Sequence, residues 1–204
     1  VFNLNYSTLP EIQNSISTSL PNNDNLSFQL FGLLENDVNK IHHTVANGNF
    51  LNGIGSITSN VPQNIFNQYL MEVSYSNGSK NYFQESRTSA IPTSISTIPL
   101  DITVNNPLPQ SFNMSLVGDG ILYNVSFTNA TPSGSVFLLH SIYGEASTEV
   151  SFSKENLRLN IQAAYPDLSQ FTTVSLRDAT VSRYSAINSY SDILMYMIEG
   201  NRFE

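Results

Sequence analysis

Charged side chains are scarce in this sequence. Of its 204 residues, only 8 are Lys or Arg and 16 are Asp or Glu, whereas an average soluble domain is about 25% charged. The formal net charge is −8, so the chain lacks the clustered cations that bind nucleic acid or an anionic membrane surface. We therefore expect neither nucleic acid nor anionic lipid as a partner.

Cysteine is absent, which excludes a disulfide framework and a thiolate metal site. No apolar run approaches the ~18 residues that a membrane-spanning helix needs, so we expect no membrane span. The sequence begins at Val1 rather than Met, and we expect a processed start from which a signal segment has been removed.

Catalytic patterns are also missing. The sequence has no nucleophile elbow, zinc-protease pair, phosphate loop or dinucleotide fingerprint. His42 and His43 are adjacent, so in a strand they point to opposite faces and do not chelate one ion together. His140 lies in an apolar run that is typical of a core strand. We expect no catalytic residue, no cofactor and no metal, and therefore no enzyme.

Amides and hydroxyls take the place of the missing charge. Asn occupies 25 positions, and Ser and Thr together occupy 43. These groups do not titrate and respond weakly to salt, so such a surface changes little between neutral and acidic water. The composition favours an extracellular or cell-surface protein.

Apolar and polar residues alternate along much of the chain, and this period of two predicts strands. Tyr and Phe are abundant, with 10 and 12 residues, and both favour pleated surfaces. We predict an all-β fold, an antiparallel β-sandwich of the immunoglobulin-like kind, built as one sandwich or as two stacked sandwiches. An N-terminal arm of residues 1–20 precedes a β-rich body of residues 21–204.

The clearest local signal is a hairpin. Residues 69–75 pair with residues 80–85, and Asn77-Gly78 supplies the two positive φ angles of a type I′ turn. A second hairpin is predicted between residues 112–117 and 121–128. The remaining predictions are central strands at residues 135–143 and 193–198, and shorter strands at residues 171–176 and 179–184.

Three prolines lie between residues 99 and 109. Because proline cannot donate to a strand ladder, this segment is an edge, a connector or a boundary between two halves. The body therefore has a candidate subdivision near residues 99–110.

All apolar residues of the arm except Val1 and Leu9 have one parity, so in an extended chain they lie on one face. These residues are Phe2, Leu4, Tyr6, Ile12, Ile16 and Leu20. A rival interpretation makes residues 11–20 a short helix that begins after Pro10. We favour the extended form for residues 1–7 and leave both forms open after Pro10.

An alternating arm beside a β-rich body favours β-augmentation, in which a strand of one chain completes a sheet of another. Phe2, Leu4 and Tyr6 are the expected donor-strand residues. Repetition of such a head-to-tail contact gives an open filament of identical subunits.

The expected docking of residues 1–7 is weak. Burying three apolar side chains gives about 2 kcal/mol each, and five ladder hydrogen bonds give about 1 kcal/mol each. Ordering the backbone costs about 1–2 kcal/mol per residue, so the terms nearly cancel. A durable filament needs more of the arm, for which Ile12, Ile16 and Leu20 are the candidates, or a further interface between bodies.

Six N-glycosylation sequons occur in the sequence, and chance alone predicts about as many in a chain so rich in Asn, Ser and Thr. If the chain is secreted, Asn77 is the best acceptor, because a hairpin tip is exposed. The six positions are Asn5, Asn25, Asn77, Asn113, Asn124 and Asn129.

The Cys-free body, rich in Asn, Ser, Thr and Tyr, together with the short alternating arm at residues 1–7, resembles the subunits of archaeal surface threads. The resemblance implies a thin extracellular filament built by donor-strand complementation, with a role in adhesion or biofilm. It also implies identical subunits as partners in a head-to-tail homopolymer, and glycans on some of the sequons.

The alternative is a secreted immunoglobulin-like binding module, such as a carbohydrate-binding or adhesin domain, in which the arm is an ordinary first strand. Its mark is an exposed aromatic platform. The candidates for that platform are Tyr123, Tyr143, Tyr165 and Tyr184. A β-sandwich hydrolase is a third class, and it requires paired carboxylates or a triad.

Overall fold

The structure, a computed structural model, is predominantly β, with several mainly antiparallel sheets. The predicted all-β sandwich fold is therefore confirmed. The donor-strand residues Phe2, Leu4 and Tyr6 lie outside the described residues. Apart from the isolated positions 166 and 187, the structure describes residues 11–19, 25–34, 42–52, 54–62, 64–96, 98–130, 139–164, 173–184 and 189–198.

The chain divides into two compact units, Val1–Ile98 and Pro99–Glu204. Each unit packs two sheets around a hydrophobic cluster of its own.

Among its described residues, the first unit contains seven strands in two sheets. One sheet has the order β4-β1-β7, and the other has the order β3-β2-β5-β6. The strands are β1 (Glu11–Ser19), β2 (Asn25–Leu33), β3 (His42–Leu51), β4 (Ile54–Pro62), β5 (Gln68–Asn77), β6 (Lys80–Thr88) and β7 (Ser94–Ile95).

Alternation along β2 and β5 creates the core of the first unit. Every second residue of these strands is buried, which places their apolar side chains on the same face of the sheet. Residues of the three-stranded sheet cover that face, namely Ile16, Val61 and Ile95. The two sheets therefore form a sandwich, as expected from the period of two.

β1 corrects part of the prediction for the arm. Residues 11–19 form a strand rather than the rival helix, and they pair antiparallel with β4 and in parallel with β7 of the same chain. Ile16 is only 1% exposed within its own unit. Its side chain packs on the core face of β2 and β5, so it is not available to dock on another copy.

The hairpin of β5 and β6 is confirmed, but its turn differs from the prediction. Asn77 pairs with Lys80, so the two-residue loop is Gly78-Ser79, and only Gly78 has a positive φ, at +60°. Glycine at the first loop position is typical of a type II′ turn. This register places Tyr75 opposite Tyr82, with stacked rings 4.6 Å apart, and that cross-strand pair favours it.

The second unit contains six strands and two helices among its described residues. Its sheets have the orders β12-β9-β8 and β11-β10-β13. The elements are β8 (Asp101–Asn106), a short 3-10 turn (Pro109–Ser111), β9 (Phe112–Val117), β10 (Leu122–Ala130), β11 (Leu139–Glu145), β12 (Glu149–Phe152), α1 (Leu157–Ala164), β13 (Thr173–Ser182) and α2 (Tyr190–Ile198).

The second predicted hairpin is wrong, although both of its strands exist. β9 pairs with β8 and β12, whereas β10 pairs with β11 and β13, so residues 118–120 carry the chain from one sheet to the other. Phe112 and Phe127 consequently meet across the core, edge to face, with ring centroids 6.0 Å apart. Two strands with one apolar face each bury more surface by facing each other than by pairing side by side.

The predicted central strand at residues 193–198 is also wrong, because this segment belongs to α2. The Asp192 N–H donates to the Ser189 hydroxyl at 3.2 Å, which caps the helix start. A short apolar run does not distinguish a strand from a helix. The capping Ser and the acidic residue in the first turn favour the helix here.

Two further strand predictions need correction. Among the described strands, residues 139–145 form an edge strand, β11, rather than a central one, and residues 135–138 lie outside the described residues. The two short strands predicted on either side of Arg177-Asp178 are one strand, β13. It bulges at Arg177, because Leu176 pairs with Phe127 and Asp178 pairs with Ser126.

Candidate strand-docking cleft

Most sheet edges in the described part of the chain carry features that block pairing with another strand. Bulges interrupt the pairing of β3 at Val45, β8 at Asn105 and β13 at Arg177. β7 and β12 are only 2 and 4 residues long. The edges of β3 and β4 meet each other, where the Ser59 hydroxyl donates to the Val45 carbonyl at 2.8 Å. Such features are the usual protection of an edge.

β6 and β11 are regular open edges. Among the described residues, each pairs with one strand only, and neither pairing contains a bulge. β6 has nine residues and β11 has seven. These two strands are therefore the candidate docking edges.

The backbone of β11 presents four residues to its open side. The Ala146 N–H donates to the Ile121 carbonyl at 2.9 Å, which fixes the alternation of bonded pairs between β10 and β11. The backbones of His140, Ile142 and Gly144 therefore bond to β10, and the alternate residues of β11 point their N–H and C=O groups outward. The outward-pointing residues are Leu139, Ser141, Tyr143 and Glu145.

Side chains hold β11 in place and leave two apolar residues exposed on the outer face of its sheet. The hydroxyls of Ser126 and Ser141 are 3.1 Å apart, which links β10 to β11 on the outer face of the sheet. Leu139 and Tyr143 are 48% and 56% exposed. A large apolar exposure on a strand edge is a feature that native proteins usually avoid.

An open cleft of about 540 Å³ lies beside this edge. His140 of β11 forms one wall, the loop after β12 forms the rim, and one face of α1 forms the floor. The volume is within the range of about 300–1,000 Å³ that is typical of binding sites. The lining residues are His140, Ser153, Lys154, Glu155, Asn156, Leu157, Asn160, Ile161 and Ala164.

α1 gives the cleft an apolar floor. Leu157, Asn160, Ile161 and Ala164 recur at helical spacing, so they share one face of α1. Leu157 and Ile161 are only 7% and 8% exposed, and they belong to the core cluster of the second unit. A side chain that entered the cleft would therefore contact the edge of the core itself.

Sequence reasoning did not identify α1 or the cleft. The signals were the i, i+4 pair Leu157 and Ile161, the two alanines that follow, and Pro166 two residues after the last helical residue. The Asn-rich surroundings weaken the helix pattern, because Asn favours turns and caps over helix interiors.

The sequence-predicted site residues are dispersed. Asn5 lies outside the described residues, and so does the side chain of Asn129. Asn25 and Asn77 are exposed, whereas Asn113 and Asn124 are half-buried in strands. Asn77 lies at the end of β5 beside the Gly78-Ser79 turn. It is exposed at the hairpin tip, where the sequence predicted an accessible position.

Asn113 is held by its neighbours in the sheet. Its side-chain oxygen accepts from Asn105 at 2.7 Å, and its side-chain nitrogen donates to Glu149 at 2.7 Å. The hydrogen bonds join β8, β9 and β12 across the outer face of one sheet. Because the nitrogen that would carry a glycan is already a donor, folding competes with modification at Asn113.

The four tyrosines proposed for an aromatic platform do not share a face in the described residues. Tyr123 is half-buried and packs against the core, whereas Tyr143 is exposed on the other face of the same sheet. Tyr184 is half-buried, and Tyr165 lies outside the described residues.

Titration is perturbed at two tyrosines. Burial raises the pKa of the Tyr69 hydroxyl above its ordinary value. Burial and, secondarily, the neighbouring Tyr190 raise the pKa of Tyr123. No cluster of three or more potential metal ligands occurs among the described residues, and neither described helix has the length and apolarity needed to cross a membrane.

No protein family model matches the chain, and no curated protein is detectably similar to it.

Proposed function

We propose that this chain is the structural subunit of an extracellular filament, and that it polymerises head to tail by inserting its N-terminal strand into the next subunit. The observation that carries the proposal is the combination of a one-faced apolar segment, residues 1–7, with a regular edge that is open among the described residues in each unit, β6 in the first and β11 in the second. Strand addition uses an open edge for its main-chain hydrogen bonds and alternate side chains for its specificity.

The donor face consists of Phe2, Leu4 and Tyr6, and the other residues of this segment are polar apart from Val1. In a docked strand the donor face points to the acceptor core, and the residues of the opposite parity point to water. Because β1 begins at Glu11 and is paired within its own unit, the docking segment is confined to the residues before β1.

A filament of this kind fits the composition of the chain. Its surface relies on amides and hydroxyls more than on charge, and residues 1–7 carry no charged side chain, so the docked strand adds no like-charge repulsion to the net charge of −8. Adhesion or biofilm formation is the proposed role, with identical subunits and glycans as the partners.

Deletion of residues 1–7 tests the proposal. We expect the purified full-length chain to form linear polymers in negative-stain microscopy, and the shortened chain to remain monomeric with unchanged circular dichroism. Polymers of normal length after the deletion would remove the arm from the mechanism.

A secreted binding module is the second candidate. The observation that favours it is the polar rim of the cleft, which carries Lys154, Glu155 and Asn156 beside an apolar floor. That arrangement resembles a small-molecule or saccharide site. A chain that stays monomeric at all concentrations and binds an oligosaccharide in calorimetry would favour this candidate over the filament.

A further inference from the structure

We propose that the cleft beside β11 in the second unit is the acceptor for the arm of another copy, with Phe2, Leu4 and Tyr6 directed toward Leu157 and Ile161. This inference rests on the proposed filament function, and it names the site that such polymerisation uses.

An open edge and a cavity lie side by side at β11. The edge offers the N–H and C=O groups of four residues, from Leu139 to Glu145, and the cleft begins at His140 on the inner side of the same strand. β11 and β12 are joined by only three residues, so the neighbouring edges of both sheets lie on this side of the sandwich. His140 is the residue of β11 that lines the cleft, so a strand added to β11 would direct the inner side chains nearest to His140 into it.

β6, the other regular edge that is open among the described strands, is a poorer acceptor. Its inner side is already filled, because Tyr82 stacks on Tyr75, and the Tyr75 hydroxyl accepts a hydrogen bond from the Ile98 N–H at 3.0 Å. On the outer face, the hollow beside exposed Phe83 has a volume of about 50 Å³, roughly a tenth of the cleft volume. A donor strand could pair with β6, but its inner apolar side chains would meet the stacked rings of Tyr75 and Tyr82.

The donor segment, residues 1–7, matches the acceptor in length and in its lack of charge. Residues 1–7 and β11 have the same length, seven residues. Residues 1–7 contain no charged side chain, which suits a floor made by Leu157 and Ile161. The charged rim residues Lys154 and Glu155 are exposed, so they remain in water when an uncharged strand occupies the cleft.

The two features of the acceptor can be blocked separately. Ala164→Trp fills the cleft from α1, and Ala163→Trp places the same side chain at the preceding exposed position, which does not line the cleft. Tyr143→Pro removes an N–H that points to the open side of β11 and leaves the bonds to β10 intact. Phe83→Pro is its control. Phe83 is an exposed aromatic residue whose N–H points to the open side of β6, as the hairpin register requires.

The experiment measures polymerisation of the full chain and its variants by sedimentation and negative-stain microscopy, with circular dichroism and thermal unfolding as folding controls. We expect Ala164→Trp and Tyr143→Pro to stay monomeric at a concentration where the parent, Ala163→Trp and Phe83→Pro polymerise. Because Ala164→Trp acts on the cleft alone, it remains decisive even if Tyr143→Pro fails to fold.

Two results would overturn the inference in different ways. If deletion of residues 1–7 abolishes polymers but a folded Ala164→Trp polymerises like the parent, the arm docks elsewhere and only the acceptor is wrong. If the deletion variant polymerises normally, the filament mechanism itself fails, and the acceptor fails with it.

Discussion

Replacement of Leu4 by Ser should weaken the contact between subunits by a defined amount. In the proposed complex Leu4 is the central residue of the donor face. It enters a cleft whose floor consists of Leu157 and Ile161, and these two side chains are only 7% and 8% exposed. Loss of one buried leucine side chain removes about 2 kcal/mol of apolar burial. That corresponds to a decrease of about 30-fold in the affinity of each contact.

Sedimentation over a range of protein concentrations measures this effect. The curve for Leu4→Ser should move to a concentration about 30-fold higher than that of the parent. Asn3→Ser is the matched control, because Asn3 has the opposite parity and faces water in a docked strand. We expect that variant to shift the curve by less than about threefold. Equal shifts for Leu4→Ser and Asn3→Ser would refute an extended, one-faced donor strand.

Three further predictions concern modification and stability. In a secreting, glycosylating host, peptide mass spectrometry should find glycan at Asn77 and none at Asn113, and the reverse result would contradict the hydrogen-bonded position of Asn113 in its sheet. The free energy of unfolding should fall as the pH rises above about 10, because the pKa of Tyr69 is higher in the folded state than in the unfolded state, which loses its proton first. Chemical denaturation of Tyr69→Phe should show a smaller loss of stability over the same pH range. An equal loss in the parent and in Tyr69→Phe would refute the role of Tyr69. Gly118→Ala, at φ +98° and against the Pro99 backbone, should lower the melting temperature far more than Gly78→Ala, whose added methyl group meets open space; equal effects would contradict the backbone geometry.

The sequence was sufficient to predict the class of fold, because burial on one face of a sheet requires alternation. β2 and β5 are clear cases, with buried residues at every second position. The hairpin of β5 and β6 was predicted from local residues. Its turn shifted by one residue, because the pairing of Tyr75 with Tyr82 contributes to the register as well as Asn77-Gly78 does.

Strand partners were harder to predict than strands. Residues 112–128 have the pattern of a hairpin, with two strands and a glycine-containing turn, but the structure places β9 and β10 in different sheets. The deciding contact is between Phe112 and Phe127 across the core. The local sequence does not show whether a turn joins two strands of one sheet or strands of two different sheets. The same limit explains why the edge position of β11 could not be derived.

The helices were missed for a different reason. Residues 193–198 form an apolar run of ambiguous period, and only Ser189 and Asp192 identify a helix start. α1 is short, and its Leu157 and Ile161 make a weak pattern by themselves. The cleft depends on α1 packing beside the end of β11, so its position follows from tertiary structure and could not be read from any one segment.

The most direct test of the central claim is an intermolecular disulfide between Leu4→Cys and Ala164→Cys, because the chain has no cysteine of its own. Under oxidising conditions the account predicts a ladder of covalent oligomers in non-reducing electrophoresis, and no ladder when Ala163→Cys replaces Ala164→Cys, since a disulfide forms only when the two Cα atoms are within about 7 Å. A disulfide that closes within a single chain, or polymers that never cross-link at this pair, would contradict it.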